Sequence, residues 1–158
     1  MDAKVAPARP ETDQSFDKLA QEAIEEARVV LPGIQALFGF QLIAVFSERF
    51  HHLAQAEQVM HYIALLLVAL AIAIIMTPAA YHRLVEREAV TEFFVRLASW
   101  LIAGAMVPLM LAVALEVYLL GLIVLHSQAT SATIACAVLL VFAGLWFGFP
   151  LAARSQRR

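Results

Sequence analysis

Ten of the eleven Lys and Arg residues fall on one side of a pattern of four hydrophobic segments, and Arg49 is the exception. The segments run from Leu31 to Phe46, Met60 to Ala80, Leu97 to Leu125 and Ala132 to Leu151. The second has no polar side chain between Ile63 and Met76. A helix crosses a bilayer with about 20 apolar residues. If all four segments cross, Lys4, Arg9, Lys18 and Arg28 share a side with Arg83, Arg87 and Arg96 and with Arg154, Arg157 and Arg158. Cytoplasmic loops are enriched in Lys and Arg, so both termini are expected in the cytoplasm. At 62% hydrophobic and 15% charged, the chain is more apolar than soluble domains, which run at about half and about a quarter. Lipid is therefore the expected solvent and first partner. The net charge of −2 argues against a nucleic-acid partner, which needs concentrated positive charge.

The pattern predicts an all-α fold, a four-transmembrane-helix bundle preceded by an amphipathic cytoplasmic helix. Residues 1–14, with Pro7 and Pro10, read as a flexible tail. Over residues 15–30, Phe16, Leu19, Ala23, Ile24, Ala27 and Val30 recur at helical spacing, with Asp17, Lys18, Glu22, Glu25 and Glu26 opposite. Helices lying on anionic lipid usually carry basic polar faces, so this acidic one is expected to pack on protein. Its acids also speak against a cleavable signal, which starts basic and then turns apolar.

Pro32-Gly33 predicts a kink or break, because proline lacks a backbone donor and crowds the preceding turn. The first segment is short and holds Gln35 and Gln41. It spans only by borrowing from Val29-Val30 or where the bilayer thins; the alternative is a re-entrant hairpin, against which the clean split of positive charge speaks. Pro108 frees the carbonyl of Gly104 and predicts a second kink. Thr77-Pro78 marks the expected end of segment two, and residues 152–158 form a basic tail.

Glu116 is the sharpest chemical clue. It lies nine residues before Leu125 in a run of Leu, Val and Ala. An acid at mid-membrane costs several kcal/mol and usually faces protein or water. Ala112 and Ala105 share its face and admit a close neighbour. Counting depth from the segment ends places Gln41, Thr133 and Tyr118 within its reach. Two readings carry equal weight: a proton- or cation-handling carboxylate, and a structural hydrogen bond between helices.

The other candidates carry weaker chemistry. His51, His61 and His126 map to the rim opposite the basic side and are weak metal or pH-sensing candidates; they match no standard ligand spacing. His82 and Arg83 belong to a charged cluster with Arg87 and Arg96, a surface on which Glu22, Glu25 and Glu26 are expected to dock. Gly144-x-x-x-Gly148 permits close helix contact. Cys136, the only cysteine, reads as a packing residue. No phosphate loop, nucleophile elbow or zinc-protease motif is present, so no enzyme activity and no cofactor are expected.

Two stretches carry a family resemblance: EARVVLPGIQALFGFQL from Glu26 with FSERF from Phe46, and TPAAYHRLV from Thr77. Their pairing of an Arg-Val-x-x-x-Gly-x-Gln opening with a Pro-x-x-x-His-Arg exit resembles a small bacterial four-helix integral membrane family, a domain of unknown function. The match covers roughly residues 20–100. It implies the fold and the bacterial inner membrane, and it supplies no activity or catalytic residue. Members are sometimes labelled sodium:proton antiporters, whereas this chain lacks the length and paired interior acids of established antiporters.

Three functions follow as expectations. The leading one is an oligomeric ion- or proton-permeation unit around segments one and three, lined by Glu116, Gln41 and Gln35, with Tyr118 nearby. The second is an accessory or scaffold protein bound to another membrane complex. The third is an outer-face metal or pH sensor using His51, His61 and His126.

Overall fold

The computed structural model describes residues 11–85 and 91–156. The tail over residues 1–10, together with Glu86, Arg87, Glu88, Arg157 and Arg158, lies outside the described residues. The described chain is helical: α1 (Glu11–Ala44), α2 (Glu48–His51), α3 (Gln55–Leu84), α4 (Glu92–Leu125), α5 (Gln128–Ala143), a π-helical turn (Gly144–Gly148) and α6 (Phe149–Gln156). Four stretches are long and apolar enough to cross a membrane: Ile24–Ala44, Gln55–Leu84, Glu92–Leu125 and Gln128–Gln156.

The expected break at Pro32 is absent, since α1 runs unbroken through it. Proline removes one backbone donor, and residue 32 is exposed, so its ring displaces no packed neighbour. The amphipathic stretch over 15–30 is accordingly the first part of one long helix, and the crossing segment reaches back to Ile24. Likewise α3 continues past Pro78 to Leu84, and α4 passes through a buried Pro108. At Thr77 the side-chain hydroxyl donates to the carbonyl of Ala73. Near Pro150 the outcome differs. The turn just before it widens, and the Phe149 amide donates to Gly144, five residues back. A π turn of this kind relieves the clash that proline makes with the carbonyl four residues earlier.

Three helices share the core. In α3 the buried residues are His61, Ala64, Val68, Ala71, Ile75 and Pro78, an alternating three–four spacing. Helix α4 answers with Ala98, Ala105, Pro108, Ala112 and Leu119, which keep the same seven-residue phase. Helix α1 adds Ile34, with Ala27, Leu31 and Phe38 packed beside it. Such a repeat keeps one seam facing its partner along the whole helix. Alanine dominates the α4 seam, which lets the backbones approach closely. The antiparallel pair α3 and α4 makes the most extensive contact, and α1 packs against both.

Helix α5 lies outside this trio and packs mainly on α4. It buries only Ser131 and Ala135. The contact is tight at one point: a Cβ added to Gly121 would stand 2.8 Å from Ser131 Oγ and 3.2 Å from its Cα. Gly144 has nothing within 4 Å of an added Cβ, and for Gly148 the nearest atom is the helix's own carbonyl at 3.8 Å. Two roles are open to these glycines, packing within the bundle and self-association, and neither glycine makes a close contact inside the described chain. Gly121 makes the close approach, and Gly144 and Gly148 face outward.

Candidate functional site: a buried Gln–His–Glu layer

The heptad phase that builds the core also carries three polar residues into it. Gln41 continues the α1 seam from Ile34. His61 opens the α3 seam. Glu116 follows Ala112 by four on α4. All three stand near the end of the molecule that bears the α1–α3 and α4–α5 loops. Gln41 is three residues from the end of α1, His61 six from the start of α3 and Glu116 nine from the end of α4. At about 1.5 Å per residue these are depths of about 5, 9 and 14 Å.

They form one hydrogen-bonded unit. Gln41 Nε2 donates to Glu116 Oε1 at 2.8 Å. His61 Nδ1 lies 3.0 Å from Glu116 Oε1 and 3.3 Å from Oε2. His61 Nε2 lies 2.9 Å from the backbone carbonyl of Gln41. Gln41 and His61 are buried, at 4% and 5% exposure, and the Glu116 side chain is 24% exposed.

Proton counting follows from the partners. A carbonyl oxygen only accepts, so His61 Nε2 carries a hydrogen. The contact between Nδ1 and the carboxyl group then holds one proton, on the ring or on the acid. The pair is imidazolium with carboxylate, or imidazole with carboxylic acid. Both forms are neutral overall, which limits the cost of burial. Gln41 sits in the last turn of α1. That turn has no basic residue of its own.

One atom of the unit is unsatisfied. Gln41 Oε1 is buried without a hydrogen-bond partner among the described residues. A buried acceptor left unpaired costs about 1–3 kcal/mol.

The approach to His61 is set by the loop between α1 and α3. Ser47 caps α2 through the Phe50 amide, and its hydroxyl donates to the carbonyl of Ala44. Gln58 Nε2 holds the carbonyls of Leu53 and Phe50, at 3.0 and 3.5 Å. This brings the Phe50 ring edge-on to His61, with centroids 5.2 Å apart. An open groove of about 390 Å³ runs past Phe50, Gln58 and Tyr62 to His61. Replacing Gln58 by alanine is expected to loosen this loop. Amide hydrogen exchange over residues 47–54 should accelerate about tenfold, while that of the α3–α4 seam stays unchanged.

The profile of one family, described as a family of unknown function (DUF6328), matches residues 10–150. The chain belongs to that family. No curated protein and no solved structure matches it. Both stretches that carry the resemblance noted in the sequence lie within the matched region of this DUF6328 chain, and so does the whole polar layer.

The structure joins Gln41 to Glu116 as the depth count expected. It leaves out three residues that reading placed nearby. Gln35 is exposed. The Thr133 hydroxyl donates to the carbonyl of Ala129. Tyr118, on the same helix, is not among the hydrogen-bond partners of Glu116. The residue missed as a partner is His61, which the sequence reading set on the rim with His51 and His126. Those three do not gather. His51 lies against Phe50, and His126 caps α4 in the left-handed conformation, with φ of 52°. Among the described residues no group of three or more His, Cys, Asp or Glu could hold a metal ion.

At the opposite end, the His82 ring stands edge-on to Phe94 and Tyr81 stacks on it. Arg96 pairs with Glu92 at 2.7 Å. An exposed pair four residues apart contributes little. Arg83 and Arg28 border a cavity between α1 and α3.

Proposed function

We propose that this chain is a multi-pass membrane protein that binds and relays protons at the His61–Glu116 pair. The observation that carries the reading is the placement of His61 Nδ1 against the Glu116 carboxyl group while Nε2 is fixed to a carbonyl. The ring and the acid then share Nδ1 and the two carboxyl oxygens as the place where a proton is passed. The unpaired Gln41 Oε1 adds an acceptor beside these atoms for an incoming donor such as hydronium or water. The groove beside Phe50 reaches His61 from outside. An ionisable residue placed inside a membrane segment is a functional candidate by default. In this reading the basic termini and the Arg83 loop face the cytoplasm, and the polar layer lies toward the outer surface of a bacterial inner membrane.

The test is proton flux in proteoliposomes under an imposed pH gradient. Wild-type protein is expected to pass protons, and Glu116→Gln and His61→Gln are each expected to lower the rate at least tenfold. Flux equal in wild type and both variants, or absent from all three, would sink the proposal. Orientation has its own check in a Cys136→Ser background. An impermeant maleimide should label Gln128→Cys from outside intact cells and Ser155→Cys only after permeabilisation.

A second reading, an accessory subunit, draws on α5. Leu140, Val141, Leu145 and Phe149 are exposed beside Gly144 and Gly148, a small-residue stripe of the kind that membrane helices use to associate. Recovery of a stoichiometric membrane partner after gentle solubilisation would favour it; a monodisperse homo-oligomer would count against it.

A further inference from the structure

At the other end from the polar layer, α1 and α3 diverge around a cavity of about 260 Å³. Its floor is apolar, with Leu31, Ile75 and Met76. Its rim is cationic or polar, with Arg28 from α1 and His82 and Arg83 from α3. Arg83 lies 28 residues after Gln55, the start of α3, or about 42 Å along the helix. A bilayer including its headgroups measures about 40–45 Å. Given the membrane reading above, this rim therefore stands at headgroup depth on one face, and the floor descends into the hydrocarbon.

We infer that this cavity is a binding site for one anionic phospholipid. The phosphate lies between the guanidinium groups of Arg28 and Arg83, and an acyl chain lies over Leu31, Ile75 and Met76. Charge complementarity selects the ligand. Guanidinium groups present planar donor forks that match phosphate oxygens, and basic pockets between membrane helices bind acidic headgroups. The apolar floor distinguishes a lipid from a free phosphate, which gains nothing from it. Glu26 lines a separate pocket with Ile102, Met106 and Trp146. The His82 ring stands edge-on to Phe94, at 5.5 Å between centroids.

The test uses full-length protein in detergent, with bound lipid counted by native mass spectrometry. The probes are phosphatidylglycerol, phosphatidylcholine of the same chains and inorganic phosphate. One phosphatidylglycerol is expected to be retained at least fivefold over phosphatidylcholine, and millimolar phosphate is expected not to displace it. R28Q/R83Q should bring phosphatidylglycerol down to the phosphatidylcholine level. Ala79→Phe, which fills the cavity and leaves both arginines in place, should do the same. Equal retention of the two lipids by wild type would overturn the inference. So would undiminished selectivity in Ala79→Phe, or displacement of the lipid by phosphate alone.

Discussion

Replacing His61 by leucine is expected to destabilise the folded chain by about 2 kcal/mol, whereas Glu116→Gln costs less than about 1 kcal/mol. Removing one partner of a buried, hydrogen-bonded pair leaves the other uncompensated, at a cost of about 3–5 kcal/mol in soluble proteins. Hydrogen bonds between membrane helices average less, about 0.6 kcal/mol, because the separated helices find other partners. The intermediate figure applies here because Glu116 keeps Gln41 Nε2 as a donor, while the Gln41 carbonyl loses its imidazole. Glutamine at 116 changes less. Its carbonyl still accepts from Gln41, and its amide donates to Nδ1 once the ring is neutral with hydrogen on Nε2. Reversible unfolding in mixed micelles measures both values. Combining His61→Leu with Glu116→Leu should cost less than the sum of the two, because the second change removes the group that the first left unpaired. Strict additivity would mean that the two side chains do not act as a unit.

The second large effect concerns the α4–α5 contact. Gly121→Ala is expected to cost about 1–3 kcal/mol, the usual penalty for overpacking. The new methyl group would meet both the side chain and the backbone of Ser131. Ser131 cannot turn aside cheaply, since it is fully buried and its hydroxyl donates to the carbonyl of Ser127. Gly144→Ala meets nothing within 4 Å and should be neutral, or stabilising by up to about 1 kcal/mol through helix propensity. Thermal melts of the two variants in one detergent compare them directly. A Gly144→Ala loss as large as that of Gly121→Ala would show that the outward glycines pack against a second copy or another protein.

Much of the helical plan was legible because it rests on apolar length. The four segments long and apolar enough to cross a membrane, their order and the inward face of Glu116 all follow from hydropathy and from Ala105 and Ala112 at helical spacing. The proline positions misled. Pro32 read as a kink or break and Thr77-Pro78 as the end of segment two, yet a helix continues wherever the ring faces open space or neighbouring groups take up the freed carbonyls, and this depends on packing that sequence does not display. His61 was missed for a different reason. Its companions in the rim reading, His51 and His126, are exposed, and grouping the three as a rim hid the seam that His61 shares with Ala64, Val68 and Ala71. The seven-residue phase was the available signal, for it puts Gln41, His61 and Glu116 on seam positions of three helices at similar depth. The glycines show the same limit, in that a GxxxG spacing marks where helices can meet and not which partner they meet.

The most direct measurement of the central claim is ¹⁵N NMR of His61 in wild type and Glu116→Gln. The account expects Nε2 protonated at every pH where the fold persists. It expects Nδ1 to show a strong hydrogen bond to the carboxyl group in wild type, and its signal to move markedly in Glu116→Gln. An unprotonated Nε2, or a His61 spectrum that Glu116→Gln leaves unaltered, would contradict it.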